Sequence, residues 1–263
     1  MARILIAGES WITQSVHQKG FDSFTTIEYH EGVVPLRDAL VGRGHVVDYQ
    51  PCHVAAVEFP FEAEGLDRYQ VVILSDIGSN TLLLPPAVFA EGRPRPNRLG
   101  LLRDWVHGGG GLIMAGGYLS FQGIEGKANY RATPLADVLP VTLDHGDDRR
   151  ELPEGRPPQV ELGDHPTVAG VGGEWPAMLG YQHVTPRADT DVVVTIDGDP
   201  LVAVGSFGSG AALAFTSDVG PHWAPREFVE WPGYAEFWDR AVRFLAGEAP
   251  APHAIGGKVA DVG

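Results

Sequence analysis

The sequence predicts an α/β protein with a mostly parallel sheet and an antiparallel β extension in its second half. Short apolar runs alternate with helix-like segments in the first half, and β-rich runs separated by turn residues follow in the second. Alternation of strands with helices favours parallel pairing through right-handed crossovers. Short β runs joined by tight turns favour antiparallel pairing instead.

Each element of the first half has its own signal. The first strand, RILIAG, is almost wholly apolar and ends in glycine, which is typical of a strand buried on both faces. In residues 34–44 the apolar residues have helical spacing, and the segment ends at Gly44. Asn97 begins a second helical segment and can cap its start. The predicted order is strand 3–8, helix 34–44, strand 45–51, strand 65–78, helix 97–111 and strand 111–117.

The second half changes character. Residues 137–162 are rich in Pro, Asp and Arg and predict an excursion at the edge of the sheet. Residues 191–218 hold three β runs separated by DGDP and GSFGSG, and residues 231–247 predict a closing amphipathic helix. Its apolar stripe is Phe237, Ala241, Phe244 and Leu245. We expect residues 201–218 to join the first sheet, giving one domain over 1–248 and an extended tail over 249–263.

Composition and charge narrow the classes of partner. The 263 residues carry 19 Lys and Arg against 34 Asp and Glu, a formal charge of −15, and no basic run offsets it. Such a surface argues against nucleic acid and anionic membranes as partners. The single cysteine excludes an internal disulfide and multi-cysteine metal sites. Without a signal-peptide pattern or a spanning run, we expect a cytoplasmic protein with a small-molecule ligand, and homo-oligomerisation stays open.

Five segments carry a resemblance to a known family. They are ILIAGESW, KGFDSF, VVILSDIGSNTLLL, GGYLSFQGIEGKANYRATPLADVLPV and GSGAALAFTSDVGPHWAPREFVEWPGYAEFWDRAVRFLAG, in order along most of the chain. The chain resembles the class I glutamine amidotransferase-like superfamily. Within it, the chain is most similar to the glutamine amidotransferase-like branch that neighbours the trehalose-utilisation (ThuA-like) proteins. The resemblance implies a flavodoxin-like doubly wound sheet.

The resemblance also implies where a nucleophile would lie. Active members place a cysteine on a strand-to-helix elbow and pair it with a histidine and a glutamate after a late strand. The thiolate attacks glutamine, histidine moves the proton, and backbone N–H groups stabilise the oxyanion. By position, the elbow here is residues 116–120, which include no cysteine, and the late histidine is His222. Because Glu227 comes five residues later and Cys52 lies far upstream, we expect no thiol-dependent glutaminase activity.

The ends of the predicted strands supply the candidate site. In a doubly wound sheet, ligands bind beyond the carboxyl ends of the strands. We expect His222, Asp218 and Glu9 to serve as acid–base groups there. The predicted ligand-binding residues are Ser10, Trp11, Asp76, Asn80, Gly117, Tyr118, Ser120 and Trp223. Singly, such polar residues often only cap helices or satisfy loops, but a cluster of them favours a ligand crevice.

Several alternatives are weaker. Ser120 lacks the G-x-S-x-G context of a nucleophilic serine, so we interpret its hydroxyl as a hydrogen-bonding group of the turn. Cys52, which follows Pro51, is best interpreted as a structural thiol. The histidines are dispersed and form no H-E-x-x-H motif, so we expect no metal site. The GGGG run at 108–111 precedes a strand and not a helix, which argues against a phosphate site.

Two functions remain open, and neither requires a cofactor. One is a member of the superfamily that binds or transforms a small polar metabolite, with carbohydrates as one class. In this hypothesis Trp11 and Trp223 form opposite walls of the crevice, while Trp231 and Trp238 lie in the core. The other is a non-catalytic binding or assembly module with a relic active site.

Overall fold

A computed structural model describes residues 1–248, and an eight-stranded sheet forms their centre. In spatial order its strands are β4 (Val46–Gln50), β1 (Arg3–Gly8), β5 (Val71–Ser75), β6 (Gly111–Ala115), β14 (Gly210–Phe215), β13 (Asp199–Phe207), β12 (Asp191–Ile196) and β9 (Gln159–Val160). The first five strands run parallel and the last three join antiparallel. The predicted α/β class, the antiparallel extension and the entry of residues 201–218 into the first sheet are therefore confirmed.

The central strands are buried on both faces. All five residues of β5 and all five of β6 are buried, as their unbroken apolar sequences predict. Along β1, Ile4 and Ile6 belong to one apolar cluster, whereas Leu5 and Ala7 belong to another. This alternation divides the core into two layers, one on each side of the sheet.

Helices cover both layers. Their bounds are α1 (Val34–Gly42), α2 (Cys52–Glu58), α3 (Ala63–Leu66), α4 (Ser79–Leu83), α5 (Pro86–Phe89), α6 (Arg98–His107), α7 (Arg226–Val229) and α8 (Pro232–Leu245). Three 3₁₀ turns lie at Ile124–Gly126, Tyr130–Ala132 and Pro134–Asp137. Helices α1 and α8 pack on one face, and α2, α4 and α6 pack on the other. Within residues 1–248, none of the helices has both the length and the apolar character needed to cross a membrane.

The closing helix α8 buries most of its predicted stripe. Phe237, Ala241 and Leu245 are buried, and Phe244 is half-buried. Trp238 is fully buried, as expected of a core residue, whereas Trp231 is only half-buried and packs on Trp175 at 5.2 Å between ring centroids. The helix therefore anchors the end of the described chain to one face of the sheet.

Three pairs of strands stand outside the main sheet. Strands β2 (Ser10–Lys19) and β3 (Asp22–Glu31) form a largely exposed hairpin that the sequence analysis did not predict. The other pairs are β7 (Val141–Leu143) with β11 (Val184–Pro186), and β8 (Arg149–Arg156) with β10 (Met178–Gln182). The segment predicted as an edge excursion thus contributes β7 and β8 outside the main sheet and β9 at its edge.

The start of α6 offers a test of local structure. The side-chain oxygen of Asn97 accepts hydrogen bonds from the backbone N–H groups of Leu99 at 3.0 Å and Gly100 at 3.1 Å. We expect Asn97→Ala to lower the free energy of unfolding by about 1 kcal/mol, because both donors lose their acceptor. Chemical denaturation measures the change. Asn80→Ala, at an exposed position of α4, is the control and should change little; equal effects of the two substitutions would refute the cap.

Candidate functional site

The carboxyl ends of the parallel strands surround one cavity. Glu9 follows β1, Asp76 follows β5, and Asp218 comes three residues after β14. The cavity has a volume of about 520 Å³. Its lining residues are Glu9, Trp11, Asp76, Tyr118, Leu119, Ile124, Lys127, Asp218, Pro221 and His222. The fold thus brings the three predicted acid–base residues and three of the predicted ligand-binding residues to one place.

Glu9 is fixed by the end of the neighbouring strand. Its backbone N–H donates to the carbonyl of Ser75 at 2.7 Å, and the Ser75 hydroxyl donates to Glu9 Oε2 at 2.5 Å. Its backbone lies in the left-handed region with φ of 50°, and only 6% of the residue is exposed. A non-glycine residue in this conformation is strained, and such strain is common where a side chain is aimed at a site.

Asp76 ties β5 to the turn after β6. Its Oδ1 accepts a hydrogen bond from the backbone N–H of Leu119 at 2.6 Å, and its own N–H donates to Ser120 Oγ at 3.1 Å. Gly117 lies between Asp76 and Asp218. A Cβ on Gly117 would come within 2.8 Å of Asp76 Cβ and 2.9 Å of Asp218 Oδ1. The absence of a side chain here allows both acidic residues to approach the same turn.

Asp218 holds His222. The His222 Nδ1 lies 3.2 Å from Asp218 Oδ2, and the same oxygen accepts a hydrogen bond from the backbone N–H of Trp223 at 3.0 Å. The edge-to-face contact between the His222 and Tyr118 rings has a centroid distance of 4.6 Å. The structure therefore places His222 beside the turn after β6, with 46% of its side chain exposed. The hydrogen bond to Asp218 raises the pKa of His222, although burial opposes this.

Each of the three carboxylates keeps one oxygen free of hydrogen bonds from residues 1–248. The oxygens that accept hydrogen bonds are Glu9 Oε2, Asp76 Oδ1 and Asp218 Oδ2. The other oxygen of each group accepts no hydrogen bond from this part of the chain; these oxygens are Glu9 Oε1, Asp76 Oδ2 and Asp218 Oδ1. Glu9 and Asp218 are only 6% and 7% exposed. The three free oxygens are not among the fully buried side-chain atoms without a partner in residues 1–248, so they are open to solvent. These three oxygens are therefore the atoms of the cavity most available to a ligand.

The acidic groups that line the cavity have different pKa values. Burial raises the pKa of Glu9 to about 8, and the charges of Asp76 and Asp218 add to the effect. Burial also raises the pKa of Asp76 to about 6, with the charge of Asp218 adding and the Leu119 N–H opposing. At neutral pH Glu9 is mostly protonated while Asp76 is mostly ionised. One cavity thus offers both a proton donor and a proton acceptor, a pattern seen in acid–base sites.

Aromatic and apolar side chains complete the wall. Trp11 comes from the hairpin and stacks on His30 at 5.5 Å between ring centroids. The Arg149 guanidinium lies over the Tyr118 ring at 4.7 Å. The sequence analysis missed the lining residues Leu119, Ile124, Lys127 and Pro221. All four lie within five residues of a predicted site residue or inside a segment that carries the family resemblance. This proximity in sequence is the signal that could have identified them.

Five of the eight predicted ligand-binding residues do not line the cavity, and two of them, Ser10 and Ser120, serve local structure. The Ser10 hydroxyl accepts a hydrogen bond from the backbone N–H of Cys52 at 2.8 Å, at the start of α2. Ser120 is 1% exposed, and its hydroxyl accepts from Asp76 as described above. Asn80 is exposed on α4. None of these three residues lines the cavity, and the simpler interpretation of polar strand-end residues holds for the two serines.

Trp223 is a correction to the predicted crevice wall. It is fully buried and its indole N–H donates to Glu151 Oε2 at 2.8 Å. A Cβ on Gly180 would come within 2.3 Å of the indole nitrogen, so the ring packs directly on that backbone. The Trp223 ring stacks on His222 at 5.4 Å between ring centroids and lies 5.8 Å from the Tyr118 ring. Trp223 therefore backs the two aromatic rings that line the cavity and does not itself form the wall.

Cys52 lies near the cavity but is not an activated thiol. It is the first residue of α2 and half-buried, with Sγ 3.8 Å from the carbonyl oxygen of Asp76. Burial raises the pKa of the thiol, and the charges of Asp76 and Glu9 raise it further, although hydrogen bonds with Ser10 oppose this. The thiolate is the nucleophilic form of cysteine. The environment of Cys52 therefore disfavours that form at neutral pH.

We expect Cys52→Ser to leave ligand binding and any activity intact. The free energy of unfolding should change by no more than about 1 kcal/mol, because serine keeps the size of the side chain in a half-buried site. Thermal unfolding and ligand-induced stabilisation, compared with the unmodified protein, measure both effects. A loss of activity in this variant would contradict the structural role of Cys52.

The carboxylates do not form a metal site in the described chain. Within residues 1–248, no three His, Cys, Asp or Glu side chains come together in an arrangement that could hold a metal ion. The cavity also has aromatic and apolar walls. Its composition suits an organic ligand that presents hydrogen-bond donors to carboxylate oxygens.

Comparisons with known proteins place the chain in a family. A family model described as "Putative glutamine amidotransferase" matches residues 3–247. The solved structure of the cytoplasmic protein STM3548 from Salmonella typhimurium is 44% identical, with a TM-score of 0.90 over 92% of this chain and 98% of that chain. The cytoplasmic protein STM1381 from Salmonella typhimurium LT2 is 43% identical, with a TM-score of 0.89 over 92% and 99%.

A more distant structure shares the fold. The beta-galactosidase from Rahnella sp. R3 is 17% identical, with a TM-score of 0.50 over 82% of this chain and 27% of that chain. No curated protein matches the sequence. The family model covers nearly the whole of the described chain, and its fold is the one described above. The chain therefore belongs to the glutamine amidotransferase-like family.

Proposed function

We propose that the protein binds and transforms a small polar metabolite in the strand-end cavity by acid–base chemistry. One observation carries this proposal. Three carboxylates, each with one oxygen free of hydrogen bonds from residues 1–248, share a cavity with a histidine held by one of them. These groups supply both binding and proton transfer.

The roles follow from the hydrogen bonds and proton affinities. Asp218 accepts from His222 Nδ1, which leaves Nε2 as the nitrogen that exchanges a proton with the ligand. Glu9, with its pKa near 8, carries a proton at neutral pH while the cavity is empty. Asp76, with a pKa near 6, accepts one. This division matches the requirement that an acid and a base be poised near the working pH.

A thiol mechanism is not part of the proposal. Residues 116–120, where the family resemblance implies the nucleophile, contain Tyr118 and no cysteine. The raised pKa of Cys52 disfavours its thiolate. We therefore propose that the protein is a glutamine amidotransferase-like protein that does not hydrolyse glutamine by the thiol route.

A carbohydrate is the ligand class that the walls favour. Trp11 and Tyr118 present aromatic surface beside carboxylate oxygens. An aromatic ring packs on the apolar face of a sugar while acceptors bind its hydroxyl groups. The sequence resembles the branch that neighbours the trehalose-utilisation proteins. We propose this relationship as well, and it supports a carbohydrate as the ligand.

The alternative is a binding or assembly module with a relic site. The elbow favours it, because residues 116–120, where the resemblance implies the nucleophile, contain no cysteine. Tyr118 lines the cavity without filling it, which favours the first proposal. Turnover separates the two functions, since a relic site binds a ligand without consuming it.

The test follows consumption of a metabolite mixture by mass spectrometry. His222→Asn preserves a donor to Asp218 but removes the second ring nitrogen, so we expect it to lower turnover by about 100-fold or more. Cys52→Ser is the matched control and should consume the same metabolite at the normal rate. Binding without consumption would support the relic module. Consumption of glutamine that Cys52→Ser abolishes would overturn the proposal.

A further inference from the structure

We propose that the cavity is built for a ligand that carries a primary ammonium group, such as an amino sugar, and that binding expels the proton of Glu9. This inference rests on the proposed function, because it concerns the same cavity. It goes further by naming the charge of the ligand and the group that responds to it.

Three carboxylate oxygens of the cavity lack a hydrogen-bond donor from residues 1–248. Glu9 Oε1, Asp76 Oδ2 and Asp218 Oδ1 accept no hydrogen bond from residues 1–248, and all three residues line the cavity. Glu9 and Asp218 are more than nine-tenths buried. None of the three oxygens is fully buried, because the fully buried side-chain atoms without a partner in residues 1–248 lie elsewhere, so these oxygens are open to solvent and to a ligand. An ammonium group has three N–H donors and no acceptor, so it suits a cavity that presents such oxygens.

The described chain provides no paired Lys or Arg to offset the acidic residues of the cavity. Among residues 1–248, no Lys or Arg forms an ion pair with Glu9, Asp76 or Asp218. Lys127 lines the cavity but pairs with the exposed Glu125 at 2.7 Å. Arg149 pairs with Asp147 at 2.9 Å. The cavity therefore presents net negative charge, which repels anions and attracts a cation.

The aromatic walls strengthen this preference. Trp11 and Tyr118 line the same cavity as the carboxylates. The face of an aromatic ring attracts a cation, and tryptophan does so most strongly. A neutral sugar gains packing on these rings but not the charge attraction. An amino sugar gains both.

The proton of Glu9 links binding to pH. Burial is the main cause of the raised pKa of Glu9, and the charges of Asp76 and Asp218 add to it. The other titratable groups around it are Cys52, Tyr49, whose hydroxyl donates to the Glu9 carbonyl oxygen at 3.3 Å, and Tyr234 of α8. All three are neutral at pH 7. A bound ammonium offsets the two aspartates, so Glu9 ionises and its proton leaves for solvent.

The experiment is isothermal titration calorimetry with matched probes. Glucosamine and glucose share a ring, and ethanolamine and ethylene glycol share a chain, so each pair differs by one amine. Titrations at about pH 7 in phosphate and in MOPS count the protons released, because the two buffers differ in ionisation enthalpy. We expect the amine to bind at least about 10-fold more tightly than its neutral partner, with up to about one proton released.

Glu9→Gln should abolish the proton release and reduce the preference for the amine. Glu31→Gln removes an exposed carboxylate at the end of β3 and should leave both unchanged. Asp76→Asn is the second variant if Glu9→Gln fails to fold, and it should also reduce the preference.

The outcomes separate the two proposals. Equal binding of amine and neutral partner, or a preference unchanged in both variants, would overturn the ammonium inference and leave the cavity as a binding site. Stabilisation by neutral metabolites of a library, with none by any amine, would do the same. If no probe and no library metabolite binds, the ammonium inference and the proposed function both fail.

Discussion

Glu9→Gln will stabilise the protein at about pH 9 and leave its stability at about pH 5 nearly unchanged. The pKa of Glu9 is raised in the folded state from 4.5 to about 8. Between these values the folded state binds a proton that the unfolded state has released, so stability falls as pH rises. From about pH 5 to about pH 9 this group removes about 4 kcal/mol from the free energy of unfolding. Glutamine cannot ionise, and the variant escapes this loss.

Denaturant unfolding at a series of pH values measures the difference between the variant and the unmodified protein. The difference should grow steadily through neutral pH and level off above about pH 8, once folded Glu9 has ionised. Glu31→Gln is the control, because this carboxylate is exposed and does not line the cavity, and it should not reproduce the rise expected of Glu9→Gln. Parallel curves for Glu9→Gln and the unmodified protein would mean that Glu9 is not a buried neutral acid.

Gly117→Ala will destabilise the protein by about 3 kcal/mol or more and abolish ligand binding. Gly117 has φ of 129°, a conformation that side chains rarely adopt. The new Cβ would lie 2.8 Å from Asp76 Cβ and 2.9 Å from Asp218 Oδ1, so both residues that carry the site would have to move. Backbone strain and the clash add together.

Gly78→Ala is the matched control for this substitution. It lies near the same turn, its φ is −69°, and a Cβ there would come no closer than 3.8 Å to a neighbour. We expect a change of less than about 1 kcal/mol and normal ligand binding. Chemical denaturation and ligand-induced thermal shifts measure both variants. Normal binding by Gly117→Ala would show that the close approach of Asp76 and Asp218 is not needed.

The sequence was sufficient to locate the strand ends. The runs RILIAG, VVILS and GLIMA are apolar without interruption, so the first polar residues after them mark the carboxyl edge of the sheet. Glu9 and Asp76 were found in this way, and Asp218 followed from the late strand. Parallel pairing then brings them together without further information.

The hairpin was missed because its strands do not enter the sheet. Ile12, Gln14 and Val16 share one face of β2, so a polar residue interrupts the apolar pattern of that face. The hairpin side chains are mostly exposed, so no strong apolar pattern marks them. This omission left unexplained how Trp11 reaches the cavity, since the residue belongs to β2 and not to a loop.

Side-chain direction in loops was the other limit. Trp223 was assigned to the cavity because it adjoins His222, yet it is fully buried behind the His222 ring, on which it stacks. Its partner Glu151 lies in β8, about 70 residues earlier in sequence, within a segment whose path the sequence does not define. A contact between distant segments of this kind depends on tertiary packing, which local patterns do not record.

The most direct test is a thermal-shift screen of a metabolite library with a variant that blocks the cavity. Leu119 lines the cavity and is 37% exposed, so Leu119→Trp fills the space without burying a new polar group. Leu84→Trp, at a position 40% exposed and away from the cavity, is the matched control. A ligand at 100 times its dissociation constant stabilises by about 2.7 kcal/mol, a shift of several degrees. We predict that at least one metabolite shifts the unmodified protein and Leu84→Trp but not Leu119→Trp; an equal shift in all three, or none in the unmodified protein, would contradict a ligand site in this cavity.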